Sequence, residues 1–119
     1  MNEISNNYFF INLNEHILSF DINDIKVIKT SSGEVINSNI IEIIKSDIDI
    51  VYIQTNTAQY YLLNNKLHNL NDVAINYYFD YDNFPRSYFI NGDRLEYDDW
   101  LIHPEKVRHD RKNKLKLLV

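Results

Sequence analysis

Apolar and polar positions alternate with period two through most of this chain, the pattern of strands that bury one face. The clearest stripe is Val73, Ile75, Tyr77 and Phe79. Ile48, Ile50 and Tyr52 form another, interleaved with Asp49, Val51 and Ile53. Residues 8–13 are dense in strand formers, 17–20 continue as a second strand, and 25–30 read as a third. Ser31-Ser32-Gly33 is a turn signal, with 34–36 returning as its partner. Asn56-Thr57 reads as a hairpin tip before a strand over 59–63, and 87–90 is the next strand after a loop at 80–85. Residues 38–46 fit two patterns. Apolar residues at 40, 41, 43 and 44 suit a short helix capped by Ser38, but all four are β-branched Ile, which favours a strand, and a strand is expected.

Past Asn91-Gly92 the period changes. Asp98 and Asp99 precede Trp100-Leu101-Ile102, as acids do in a first helical turn. Pro104 starts a second helix, with His103 as its cap. Glu105 at its start and Arg111, Lys112, Lys114 and Lys116 towards its end suit the helix dipole, and Val107, Leu115 and Leu118 form its sheet-facing side. Trp100 is expected to be buried near Tyr88 or Ile90. In each pair of adjacent aromatics, one ring should face the core and the other the outside. The expected fold is mainly β (β+α). It is an antiparallel β-meander built from hairpin repeats with a short C-terminal helical cap. One domain is expected, with N-terminal strands over 1–57, repeat hairpins over 58–96 and helices over 97–118.

The hairpin repeats are visible in the residues. Tyr61-Leu62-Leu63-Asn64-Asn65-Lys66 returns 27 residues later as Tyr88-Phe89-Ile90-Asn91-Gly92-Asp93. An apolar run ending in Asn-Asn or Asn-Gly is a strand entering a tight turn, because Asn and Gly tolerate positive φ. Val35-Ile36-Asn37-Ser38 lies at the same spacing upstream, and Phe10-Ile11-Asn12 resembles a fourth copy two residues out of register. The stretch from Tyr60-Tyr61-Leu62-Leu63 through Lys66-Leu67-His68 to Val73-Ala74-Ile75 resembles MORN-like repeats. Ser87 to Pro104 is similar to the closing unit of such an array. The resemblance covers about residues 58–118. It departs at Val73, where Pro is usual, and at Asn65, where Gly is usual. It implies ribbons of hairpins in a binding protein of giant viruses, phages or low-GC bacteria, and carries no catalytic residue.

Composition adds to this. The chain holds 17 Asn and 17 Ile against two Gly and one Met, a bias towards AT-rich codons that suits a phage, a large DNA virus or a low-GC bacterium. There is no Cys, so disulfides and thiolate metal sites are excluded. No apolar stretch approaches the length of a membrane span, and the first seven residues lack the regions of a signal peptide. The expected location is the host cytoplasm. The net charge of −5 is uneven: residues 72–99 carry seven acids and two bases, whereas 105–119 carry two acids and six bases.

No constellation favours an enzyme, and no cofactor is expected. His16, His68, His103 and His109 lack the spacing of a helical zinc motif, and His68 reads as a turn residue of the repeat. Asp80-Tyr81-Asp82 begins like a calcium loop, but Pro85 and Asn91 stand where Gly and a bidentate acid belong. Asp98 and Asp99 are adjacent and diverge. What remains is an acidic, Tyr-rich surface suited to a host or defence protein, with Tyr78, Asp80, Tyr81, Asp82, Phe84, Asp93, Glu96 and Asp98 as partner-binding candidates. Inhibition of an anti-CRISPR or anti-restriction type would follow if that surface occupied a nucleic-acid channel. The alternative is nucleic-acid contact through Lys106, Arg108, Arg111, Lys112, Lys114 and Lys116. A third reading is assembly: the uncharged strand around Phe9-Phe10-Ile11 would pair, as an open edge, with its copy in a homodimer.

Overall fold

A computed structural model describes residues 3–5, 8–12, 17–46, 48–78 and 87–117. The chain opens with a three-stranded antiparallel meander, β1 (Glu3–Ser5), β2 (Tyr8–Asn12) and β3 (Ile17–Asp21). A single 3-10 turn over Ile22–Asp24 follows, capped by the Asp21 carboxylate, which accepts from the Asn23 N–H at 2.9 Å. It leads into β4 (Ile25–Thr30), β5 (Val35–Ile36), helix α1 (Ile40–Lys45), β6 (Ile50–Thr55), β7 (Ala58–Leu63) and β8 (Lys66–Leu67). These five strands form an antiparallel sheet in the order β5-β4-β6-β7-β8, and β9 (Ile75–Tyr77) pairs with the first half of β7. A separate hairpin, β10 (Tyr88–Ile90) and β11 (Asp93–Leu95), precedes α2 (Tyr97–Ile102) and α3 (Pro104–Leu117). The mainly antiparallel β architecture with a C-terminal helical cap is therefore the observed one.

The main core lies on one face of the larger sheet. Ile28, Ile53, Tyr60, Leu62, Leu67 and Ile75 point into it, and Phe20 of β3 closes over it edge-on to Tyr60, ring centroids 4.6 Å apart. A smaller core of Val73, Tyr88, Ile90 and Trp100 sits beneath the helical cap. No helix among the described residues is long and apolar enough to cross a membrane.

Four expectations need correction. Residues 40–45 are helical, not extended, because Ile40, Ile43 and Ile44 fall on one helical stripe against the core while Ile41 is left exposed. Burial of that stripe outweighs the modest strand preference of Ile. The residue before this helix is Asn39 at φ 57°, not Ser38, and it makes no side-chain cap bond. Next, β2 is the middle strand of its sheet, paired to β1 and β3 on both sides, so the Phe9-Phe10-Ile11 segment is not an open edge. Finally, Tyr88 and Phe89 are both buried, because β10 lies between the two cores. The stripe at Val73, Ile75 and Tyr77 does face inwards, but only Ile75–Tyr77 is strand, and Phe79 lies outside the described residues.

The two strong repeat units fold alike. Each is a hairpin with a two-residue loop, Asn64-Asn65 and Asn91-Gly92, and all four residues have φ between 52° and 87°. Paired positive φ is the signature of the type I′ turn that matches strand twist. The upstream copy at Asn37-Ser38 has no such pair, so the repeat does not extend there. The second hairpin stacks on the first: the Gly92 N–H donates to the Leu67 carbonyl at 2.9 Å and the Asn69 N–H to the Phe89 carbonyl at 3.1 Å. A Cβ on Gly92 would meet the Lys66 side chain at 3.4 Å, besides paying for positive φ. Gly92→Ala is expected to lower stability by about 1–2 kcal/mol. Asn65→Gly, which gives the first turn the sequence of the second, should be neutral or stabilising. Urea melts of the two variants check both directions.

Candidate functional site

Trp100 is the buried anchor of α2. Trp100 faces inwards from α2, 4% exposed. Its indole N–H donates to the Asn69 carbonyl at 3.0 Å, and its ring lies 4.7 Å from that of Tyr88. Asn69 is itself fixed, its side-chain amide donating to the Val73 carbonyl and its Oδ1 accepting from the Asn71 N–H. From α3, the Lys106 ammonium sits 4.6 Å above the Trp100 ring and pairs with Asp110 at 2.8 Å. Burial of Trp100 beside Tyr88 and Ile90 is thus as expected. The hinge between the helices also follows the sequence: Pro104 opens α3, and His103 Nδ1 accepts from the Glu105 N–H at 3.2 Å.

Fixing Trp100 inwards dictates the rest of α2. At about 100° per residue, Asp98 and Ile102 lie nearly opposite Trp100, with Tyr97, Asp99 and Leu101 at the flanks. Ile102 is 73% exposed, Tyr97 50% and Leu101 39%, and Glu96, Asp98 and Asp99 are exposed around them. The result is an apolar ridge of three large side chains on an acidic corner. Asp93, at the start of β11, is exposed on the adjoining hairpin. Of the partner-binding candidates, Glu96 and Asp98 lie on this corner, and Asp93 is exposed at the turn end of the adjoining hairpin. Tyr97, Leu101 and Ile102 are not among those candidates, yet a buried Trp100 and the helical rotation of about 100° per residue place them at this surface.

Tyr78 lies elsewhere, on the outer face of the larger sheet. Its N–H donates to the Thr57 carbonyl at 3.0 Å. Its hydroxyl is raised by partial burial and by the neighbouring hydroxyl of Tyr52, against a lowering hydrogen bond with Gln54. That face carries a polar lattice: Gln59 Nε2 donates to the Tyr52 hydroxyl at 2.7 Å, and Asn76 Nδ2 to Gln59 Oε1 at 3.0 Å. The Lys29 ammonium sits 4.8 Å above the Tyr52 ring, and the Tyr52 and Tyr61 rings meet edge-on at 5.3 Å. Burial pushes the Tyr61 hydroxyl up, and on the core side it pushes Tyr60 up to about 12. These phenols remain protonated at neutral pH. Asp80, Tyr81, Asp82 and Phe84 lie outside the described residues.

The basic tail is divided. Arg108, Arg111, Lys112 and Lys114 are exposed along α3. Lys106 is not available for a phosphate, because it is buried between Trp100 and Asp110. This corrects its place among the nucleic-acid contacts: an i, i+4 acid and an aromatic face hold it inwards. The side chain of Lys116 lies outside the described residues. Among the described residues, no group of three or more His, Asp or Glu is placed to hold a metal. No protein-family model matches this sequence, and neither a curated protein nor a solved structure matches it.

Proposed function

We propose that this is a small non-enzymatic binding protein that docks on a partner protein through the α2 corner. Ile102, Leu101 and Tyr97 form the apolar centre, and Glu96, Asp98 and Asp99 the acidic rim. The observation that carries this reading is the 73% exposure of Ile102 on the side of α2 opposite Trp100. Trp100, with the edge of Tyr97 against Tyr88, docks α2, so the fold does not require Leu101 and Ile102 to be large, apolar and exposed. Contiguous apolar groups rimmed by charge mark interaction sites. The complementary partner is a protein with an apolar pocket in a basic surround. The AT-rich composition and the MORN-like resemblance support a phage or viral setting, with a host or defence protein as the partner and inhibition as the outcome. Binding of nucleic acid by the tail is weaker: the protein is net negative, and Lys106 is withdrawn from solvent.

Ile102→Lys tests this. Stability should stay within about 0.5 kcal/mol of the parent, as for most surface changes. Affinity for a protein captured from a low-GC bacterial lysate should fall at least about 30-fold, the loss of an interface hot spot. Undiminished capture by the variant, or recovery of nucleic acid in place of protein, would overturn the reading.

A further inference from the structure

His68 stands where three parts of the molecule meet: the end of the first hairpin, the turn of the second, and the start of α3. Its Nδ1 accepts from the Asn91 N–H at 3.0 Å. The Asn91 side-chain amide donates in turn to Glu105 Oε1 at 2.9 Å, and the Glu105 N–H donates to His103 Nδ1. A chain of hydrogen bonds thus runs from His68 through the Asn91-Gly92 turn into the first turn of α3. Both amides of that turn donate to the 67–68 segment, Gly92 to the Leu67 carbonyl and Asn91 to the His68 ring.

The acceptor role fixes the chemistry of the ring. Nδ1 must be bare, so the neutral imidazole carries its proton on Nε2. A doubly protonated ring has no lone pair at Nδ1. It would point an N–H at the Asn91 N–H and leave that half-buried amide without its partner. His109 differs: its Nε2 lies 2.8 Å from Asn71 Oδ1, and a protonated ring can still donate there. We propose that His68 is an acid-sensitive latch, whose neutral ring holds the second hairpin and, through Asn91 and Glu105, the helical cap, and whose protonation loosens that cap.

Burial is the first influence on the ring, and charged groups on several elements add to it. Glu105 of α3 favours the protonated form, whereas His103 at the hinge and His109 of α3 oppose it. Lys66 of β8 lies along Gly92, Asp93 follows the turn, and Lys106 is paired to Asp110. Burial is the largest influence and holds His68 below its ordinary value. The unfolded chain then binds a proton more readily than the folded one as pH falls through about 6.5. Stability from this site is present above that pH. It is lost progressively as pH drops from there towards the folded-state value.

The test uses the protein alone, so it is independent of the proposed partner. Ring 15N shifts at pH 7.5 should report the Nε2–H tautomer of His68. Between pH 7.5 and 5.5 the thermal midpoint should fall and Trp100 emission should move to the red. In His68→Gln, whose side-chain oxygen can accept from Asn91 without titrating, both changes should be much smaller. An equal fall in the variant, a flat wild-type profile or an Nδ1–H tautomer would each overturn the latch. If the variant does not fold, the wild-type Asn91 amide shift decides: it must move with the same midpoint as the His68 ring.

Discussion

Trp100→Ala is expected to cost about 3–5 kcal/mol, the range for removing a large buried aromatic. The loss has several sources. The indole fills the smaller core with Val73, Tyr88 and Ile90, and a methyl group in its place leaves a cavity. The Asn69 carbonyl loses its indole donor in a half-buried position. Lys106 loses the ring beneath its ammonium, a contact worth about 0.5–2 kcal/mol, and keeps only Asp110. Trp100→Phe separates these terms: it keeps an aromatic face but removes the N–H, and should cost less than half as much. Far-UV circular dichroism in urea reads both variants, since the only Trp is gone from each. A cost under about 1 kcal/mol for the Ala variant would mean that α2 is not anchored by this residue.

Much of this arrangement was legible because it rests on local chemistry. The Asn64-Asn65 and Asn91-Gly92 turns announce themselves through the residues that tolerate positive φ, and both adopt it. Pro104 and His103 mark the start of α3 by the missing donor of one and the ring acceptor of the other. What was not legible depends on partners far apart in sequence. Residues 40–45 have the composition of a strand, and only the core they pack against selects a helix. Lys106 reads as a solvated cation until Trp100, six residues upstream, is placed beneath it. His68 reads as a turn residue, and its partner amide lies 23 residues away. The α2 ridge falls between these cases: the acids before Trp100 mark a helix that buries it, and the helical rotation then turns Ile102 outwards.

Phe89→Ala should be as costly as the loss of Trp100, about 3–5 kcal/mol, for a reason that concerns the join between the two cores. Alternation sends Tyr88 and Ile90 to one side of β10 and Phe89 to the other. Here both sides are filled: Tyr88 and Ile90 belong to the Trp100 cluster, and Phe89 belongs to the main cluster with Phe20, Tyr60 and Leu67. Phe89 is thus the side chain through which β10 grips the main core, while its carbonyl accepts from the N–H of Asn69, which follows the first hairpin. Truncating it should weaken the seat of the whole second hairpin, and with it the helical cap that the hairpin carries. Tyr97→Ala is the control, since that ring touches Tyr88 and Trp100 but is half exposed, and it should cost about 1 kcal/mol or less. Trp100 emission is retained in both variants and reports the cap directly. In Phe89→Ala it should shift to the red at a lower urea concentration than in the parent, together with the loss of strand signal. A main-core transition that moves while the Trp100 transition stays in place would mean that the cap holds without Phe89, and that the two cores are joined by some other contact.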